Sequence, residues 1–278
     1  MLVKKIFIIA ALFISFFPLA HSQELSLSEA INQAGLQRML SQRMAKNYIL
    51  ISQKLNVKTS AMELDESAAT FEENLFNLSG SATTSESKNA FKKLKKSWYR
   101  FRSIVLAEVN DSNTVNVVEY STELLKSAHA FVLTLEQTSS KNADKLINIS
   151  GRQRMLSQRL AMLYFASHSG YNESQFKQEM QNTAGQFTDA LSILQKAKEN
   201  TDSINDALAE VLNQWDFYKT KFNVSSNAPF SPKTIKVITE SMLKDMNSIT
   251  KQYEIVSINE IIGIIKSEKK ESFLDLFN

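Results

Sequence analysis

The sequence predicts an all-α protein made of two tandem four-helix bundles, and three observations support this fold class. The 278 residues include only 6 Gly and 3 Pro, too few for the many tight turns of sheet-rich folds. Long stretches of the chain have the apolar spacing of amphipathic helices. The chain also repeats itself at an interval of about 116 residues, which is the length of a whole domain.

The composition limits the chemistry that the chain can perform. It contains no Cys, which excludes disulfides, thiolate metal sites and a thiol nucleophile. Lys and Arg number 32 against 29 Asp and Glu, a balance that does not favour a nucleic-acid-binding surface. The sequence has no glycine-rich phosphate loop, nucleophile elbow or paired metal-binding His motif. We therefore predict a protein that is not an enzyme, uses no cofactor and does not bind nucleic acid.

The first 22 residues are typical of a secretory signal peptide. Lys4 and Lys5 precede the apolar run 6–20, and Ala20 and Ser22 supply the small residues that signal peptidase reads. This run is shorter than the roughly 20 residues that span a bilayer, so a retained membrane anchor is the less favoured alternative. Export together with the absence of Cys favours a periplasmic protein that is soluble after cleavage.

The strongest internal match joins residues 31–48 to residues 147–164, which are identical at 12 of 18 positions. Three further pairs keep nearly the same spacing, with a drift that small loop insertions produce: Phe71 with Phe187, Trp98 with Trp215, and Leu125 with Leu243. We interpret Trp98 and Trp215 as matched core residues. The repeat predicts a first module at 23–139 and a second module at 140–278.

Turn and capping residues divide each module into four helices. The predicted helices of the first module cover residues 25–55, 61–78, 85–108 and 113–137. Those of the second cover 142–169, 173–199, 203–222 and 233 to about 266, followed by a loose amphipathic tail at 267–278. Gly80 is predicted to end a helix in the left-handed conformation, and Ser231-Pro232 to begin the last helix. Short connections make neighbouring helices antiparallel, which gives up-down bundles.

The repeated motif lies on the first helix of each module and contains two kinds of arginine. In a helical projection Arg38 lies at the edge of the apolar, small-residue face, and Arg154 has the same position in the second copy. Arg43 falls about 140° away from Arg38, on the polar side of the helix. It shares that polar side with Asn32, Lys46 and Asn47.

An arginine directed toward a core needs hydrogen bonds and a compensating negative charge. The sequence places no acidic residue within one turn of Arg38 or Arg154. One turn before them stand the small pairs Ala34-Gly35 and Ser150-Gly151, and Gly inside a helix costs roughly 0.5–1 kcal/mol relative to Ala. A small planar oxyanion above that gap, held by the guanidinium groups, explains both features. The alternative is a structural role, in which the arginines extend to solvent or pair with carboxylates of other helices.

The string Ile31-Asn-x-Ala-Gly-x-x-Arg-Met-x-Ser-x-Arg43 and its second copy resemble the signature on the first helix of nitrate-responsive sensor domains. These are the periplasmic domains of NarX/NarQ-type histidine kinases and the PilJ-type N-terminal domain of methyl-accepting chemotaxis transducers, which the motif resembles most. The resemblance implies a nitrate held at a two-fold interface by Arg38 and Arg154, with the backbone at Gly35 and Gly151 lining the pocket. The sequence departs from this pattern at three positions: Gln33 and Ile149 stand where some kinases have Lys, and Ser150 replaces Ala.

We therefore expect a sensor-type protein that binds a small oxyanion, nitrate or nitrite, between the two motif helices. Its expected partner is a membrane-bound transducer, kinase or transporter. One chain with two copies can build the site alone as an internal pseudo-dimer, and a homodimer is the alternative. The expected ligand-binding residues are Arg38, Arg154, Gly35, Gly151, Ala34 and Ser150. The alternative function is a structural or adaptor bundle that no longer binds a ligand.

Overall fold

A computed structural model describes residues 25–223 and 229–275, and within these ranges the chain forms helices and no strands. The predicted signal peptide lies outside the described residues. None of the helices in the described ranges combines the length and hydropathy needed to cross a bilayer. The predicted all-α fold class is confirmed.

The described residues form eight α-helices, which follow one another in two sets of four. The first set is α1 (Leu27–Ser52), α2 (Val57–Asn77), α3 (Ser85–Val105) and α4 (Thr114–Glu136). The second set is α5 (Asn142–Ala166), α6 (Glu173–Gln195), α7 (Asp202–Tyr218) and α8 (Pro232–Asp275). In each set the first helix packs against the second and the fourth, and these neighbours run antiparallel as the short connections predict.

Corresponding aromatic residues occupy the two cores. The rings of Phe71 and Trp98 stack with centroids 4.2 Å apart, and those of Phe187 and Trp215 pack at 4.6 Å. Both tryptophans are almost fully buried, which confirms that they are core residues. The repeat in the sequence is therefore a repeat of packing as well.

The two motif helices, α1 and α5, pack against each other in parallel. Near their first turns, Ser28 donates a hydrogen bond to Asp144 at 2.6 Å. Directly after α1, Gln53 donates to the carbonyl of Phe165 in the last turn of α5 at 2.8 Å. The two modules thus face each other through their first helices, across an approximate two-fold axis.

The polar side of α1 in the helical projection is largely buried in the folded protein. Asn32, Lys46 and Asn47 are at most 6% exposed. The second module covers this side, because α5 and α8 both pack against α1. There the ammonium group of Lys46 and the guanidinium group of Arg43 both contact the carboxylate of Glu240 on α8. A projection of one helix treats its module as isolated and does not include this second contact surface.

The helix ends lie within about four residues of the predicted ones, with two corrections. Gly80 does not adopt the left-handed conformation, because α2 tightens into a 3₁₀ turn at Leu78–Ser81 that continues past it. The predicted loose tail is also wrong over most of its length, since α8 continues to Asp275. The predicted start of this helix is confirmed, with Pro232 in its first position and the carbonyl of Ser231 accepting from the Ile235 amide at 3.1 Å.

Candidate ligand-binding site

Arg38 on α1 and Arg154 on α5 lie buried at the interface between the two motif helices. Each is only 1% exposed. Their terminal Nη2 atoms converge, because both lie within 3.7 Å of the place that a Cβ atom on Gly35 would occupy. Both lie equally close to the corresponding place at Gly151. The structure therefore brings the two candidate arginines and the two candidate glycines together from opposite modules.

The missing side chains at Gly35 and Gly151 give the guanidinium groups their space. A Cβ atom at Gly35 would lie 3.1 Å from Nη2 of Arg38, and one at Gly151 would lie 3.0 Å from Nη2 of Arg154. Both distances are shorter than an ordinary van der Waals contact. The predicted close approach at the glycines is confirmed, but the group directly above each glycine is the arginine tip. A bound anion would therefore lie beside the guanidinium groups and not in the gap itself.

Neutral acceptors on the opposite module hold each guanidinium group. Nη2 of Arg38 donates to the backbone carbonyl of Asn148 on α5 at 3.1 Å. Nη2 of Arg154 donates to the backbone carbonyl of Asn32 on α1 at 3.4 Å and also to its side-chain Oδ1. Because these bonds cross the interface, each module positions the arginine of the other.

The remaining terminal nitrogens turn toward the fourth helix of their own module. Nη1 of Arg38 lies 3.2 Å from Nδ1 of His129 on α4, and Nη1 of Arg154 donates to Oδ1 of Asn247 on α8 at 2.8 Å. A guanidinium group has only donors. Nδ1 of His129 must therefore accept this bond, which places the ring proton on Nε2 and makes the imidazole neutral.

In the described structure, carboxylates are connected to the two arginines through asparagine side chains. The side-chain amide of Asn148 donates to Glu136, and that of Asn32 donates to Glu254 at 2.6 Å. Among the residues that the structure describes, neither Arg38 nor Arg154 forms an ion pair with a carboxylate. In the described structure the two arginines are thus neither paired with Asp or Glu nor exposed to water.

Burial lowers the pKa of both guanidinium groups. The pKa of Arg38 falls to about 9, because its charge loses hydration and because Arg154 repels it. The pKa of Arg154 falls to about 10 through burial, with Glu254 opposing the shift. Both groups therefore stay charged at neutral pH. Their Nε atoms are also buried without a hydrogen-bond partner among the described groups, so the pair has donors available for an anion.

Ala34 and Ser150, the other two candidate residues, are buried near the site, but no polar contact links them to it. The hydroxyl of Ser150 donates to the carbonyl of Leu146 on its own helix at 2.7 Å, a bond that occupies its proton. These positions contribute small size and not a ligand-binding group. In the described part of the chain, no three His, Asp or Glu side chains are placed to hold a metal ion.

Sequence reasoning missed four residues that contact the arginines: Asn32, Asn148, His129 and Asn247. The two asparagines on α1 and α5 are identical in both motif copies, so the repeat did contain a signal for them. His129 on α4 and Asn247 on α8 are 118 residues apart, which is the offset at which these two helices align, but they differ in residue type. Identity between the copies could not reveal them.

The fold and the site define a tandem helical-bundle protein in which two modules present buried arginines to each other. The family model described as "Type IV pili methyl-accepting chemotaxis transducer N-term", PilJ, matches residues 19–119 and 136–239. Since these segments cover more than half of the chain, the protein belongs to the PilJ family, and the two segments agree with two tandem copies. The family is sensory and non-enzymatic. No curated protein and no solved structure matches this chain.

Proposed function

We propose that this protein is a sensory module that binds one small oxyanion, nitrate in preference, beside Arg38 and Arg154 at the α1–α5 interface. The observation that supports this most is the convergence of two charged, buried guanidinium groups that have only neutral direct partners among the described residues. Buried like charges destabilise a protein unless an opposite charge compensates them. A bound anion supplies that charge and accepts from the free Nε donors.

A monovalent anion fits the charge of the surroundings. The two arginines carry two positive charges, and Glu136 and Glu254 lie one hydrogen-bonded residue behind them. These carboxylates partly offset the arginines, so a single negative charge is better compensated here than a double one. Guanidinium groups also bind planar oxyanions through pairs of parallel hydrogen bonds, which favours nitrate over spherical chloride.

The expected stoichiometry is one anion per chain. Both guanidinium tips approach the same two glycines, so the two modules build one shared site and not two separate ones. The chain then acts as an internal pseudo-dimer. Titration calorimetry gives this number directly, and sedimentation with and without nitrate distinguishes it from a site shared by two chains.

Anion binding would change the packing of α1 against α5, since the anion draws two mutually repelling groups together. Such a shift between packed helices is a known way of passing a signal to another element. The receiving partner is a membrane-bound transducer, kinase or transporter, and the sensor works in the periplasm after cleavage of residues 1–22. Family membership supports the sensory part of this proposal.

Thermal melts of the mature chain, residues 23–278, with nitrate, nitrite, chloride and sulfate test the proposal. Nitrate at 100 times its dissociation constant should raise the free energy of unfolding by about 2.7 kcal/mol. Sulfate and chloride should give smaller shifts, because their charge or shape matches the site less well. If none of these anions changes the melting temperature, the proposed sensor function is wrong.

The second candidate is an adaptor bundle without a ligand. One observation favours it: both terminal nitrogens of each arginine already have a neutral acceptor in the described structure. In that case the arginines hold the two modules together, and anions leave the melt unchanged. The same set of melts therefore separates the two functions.

A further inference from the structure

The contacts of the two arginines differ on the fourth helix of each module. In the second module Arg154 donates to Asn247, whose amide oxygen accepts at every pH. In the first module Arg38 faces Nδ1 of His129 at 3.2 Å, a nitrogen that accepts only while the imidazole is neutral. One half of the site therefore has a partner whose hydrogen-bonding role depends on protonation.

We propose that His129 couples anion binding to proton uptake, so that the site binds its anion more tightly as the pH falls. The inference rests on the proposed function and names a regulation of that same site. Without an anion, protonating His129 removes the acceptor of Arg38 and adds a third positive charge beside two others. With an anion present, Arg38 can turn Nη1 toward the negative charge, and Nδ1 is free to take a proton.

The geometry also allows the protonated ring to take part in binding. A charged imidazole donates from both nitrogens. Since Nδ1 already points at the guanidinium group of Arg38, the proton that it gains lies on the side of the ring that faces the site. Asn247 has no titratable proton, so the second module does not have this response.

The charges that act on His129 come from the helices packed against α4. Partial burial lowers the pKa of His129 most. The positive charges of Arg38 on α1 and then of Arg152 on α5 lower it further, to about 4. The charged groups on the remaining packed surfaces include Glu136, bound to Asn148, and the exposed pair of Arg100 on α3 with Glu123. The site is thus dominated by positive charge, and an added anion would favour the protonated imidazole.

Linkage fixes the direction and size of the effect. The nitrate affinity stays constant above the pKa of the anion-bound form and rises as the pH falls from that value toward about 4, with one proton taken up per anion. Since the partial exposure of His129 weakens the electrostatic effect, the dissociation constant should tighten about fivefold between pH 7.5 and pH 5. Nitrate itself does not titrate in this range.

The test is calorimetric titration of the mature chain with sodium nitrate at pH 7.5, 6 and 5. The variant His129→Asn gives the first module the arrangement of the second and removes the titratable group, so we expect its nitrate affinity to be the same at pH 7.5 and at pH 5. The converse variant, Asn247→His, introduces a second titratable group into the site. Its nitrate affinity should therefore depend more steeply on pH than that of the wild type. Together the variants assign the proton to one position.

Three outcomes would overturn the inference. The inference is wrong if the wild type binds nitrate equally well at pH 7.5 and pH 5. It is also wrong if the His129→Asn variant keeps the full pH dependence. In both cases the proposed binding of an anion remains supported. A wild type that binds nitrate at none of these pH values overturns the proposed function instead, and the inference with it. NMR titration of the imidazole in the wild type decides the matter if His129→Asn does not fold, since nitrate must then raise the pKa of His129.

Discussion

The two modules place Arg38 and Arg154 alike but surround them differently. Arg154 has a side-chain amide on each side, from Asn32 and Asn247, in addition to a backbone carbonyl. Arg38 has the backbone carbonyl of Asn148 and an imidazole, while the side-chain oxygen of Asn148 is buried without a partner in the described structure. The two copies of the motif therefore keep the arginines and asparagines, and the hydrogen bonds around them differ both on the motif helices and on the fourth helices.

A second contrast lies closer to the C-terminal ends of α1 and α5. Lys46 on α1 is fully buried against Glu240 and Glu63, whereas the corresponding position on α5 is Met162. The equivalent of Glu240 in the first module is Thr122, which accepts from Arg159 at 3.2 Å. The contact from α1 to α8 is thus an ion pair that includes the buried Lys46, whereas its counterpart from α5 to α4 joins the guanidinium group of Arg159 to a neutral hydroxyl. The pseudo-two-fold axis therefore relates the backbones of the two modules more closely than their side-chain chemistry.

The largest expected effect tests this ionic contrast. Glu240→Gln leaves the buried ammonium of Lys46 without its closest counter-charge, so the free energy of unfolding should fall by about 3 kcal/mol. Urea unfolding of the mature chain measures this loss. The matched control is Glu179→Gln, which breaks the more exposed pair with Arg159 and should cost about 1 kcal/mol or less. Equal losses for the two variants would contradict the contrast.

Next in size is the effect of the two arginines on ligand binding. Arg38→Ala and Arg154→Ala should each abolish the nitrate-dependent stabilisation of about 2.7 kcal/mol, because both guanidinium groups approach one shared place. Thermal melts with and without nitrate measure it. Arg102→Ala removes an exposed arginine on α3 and should leave the stabilisation intact. If only one of the two site variants lost the response, the anion would belong to one module alone.

A smaller effect is expected at the glycines. Gly35→Ala and Gly151→Ala put a Cβ atom 3.1 and 3.0 Å from a guanidinium nitrogen, so each should weaken nitrate binding about tenfold, or about 1.4 kcal/mol. Calorimetric titration measures the change. Gly185→Ala on α6 is the control, because nothing lies within 4 Å of its added Cβ atom. That variant should gain up to about 1 kcal/mol of stability from helix propensity and keep its nitrate affinity.

The smallest expected effect is the pH dependence of stability without an anion. The pKa of His129 is lowered from 6.5 to about 4 in the folded protein, so the unfolded chain binds more protons between these values. The neutral ring therefore makes its full contribution to the free energy of unfolding above pH 6.5, and this contribution is lost as the pH falls to 4. Partial exposure limits the loss to under about 1 kcal/mol. Urea unfolding at pH 7.5 and 4.5 should show a larger decrease for the wild type than for His129→Asn.

Much of the candidate site could be predicted from one sequence, since it lies on a motif that occurs twice. The repeat identified Arg38, Arg154, Gly35 and Gly151, and the projection distinguished Arg38 from Arg43 by its face. The same projection placed Asn32, Lys46 and Asn47 on the polar side and could not show that the second module buries them. His129 also escaped notice, since a single His on a fourth helix has no motif around it.

The amino-acid sequence alone was enough to predict the all-α class, the two modules and the approximate helix bounds. These follow from apolar periodicity, capping residues and an internal repeat, which are local or directly readable. Three relations became visible only in the folded protein: α1 and α5 run parallel in contact, asparagines bridge each arginine to a carboxylate, and His129 and Asn247 occupy equivalent positions beside Arg38 and Arg154. Those relations depend on side chains more than 90 residues apart that meet only when four helices pack around one interface. No local pattern encodes which of them will touch.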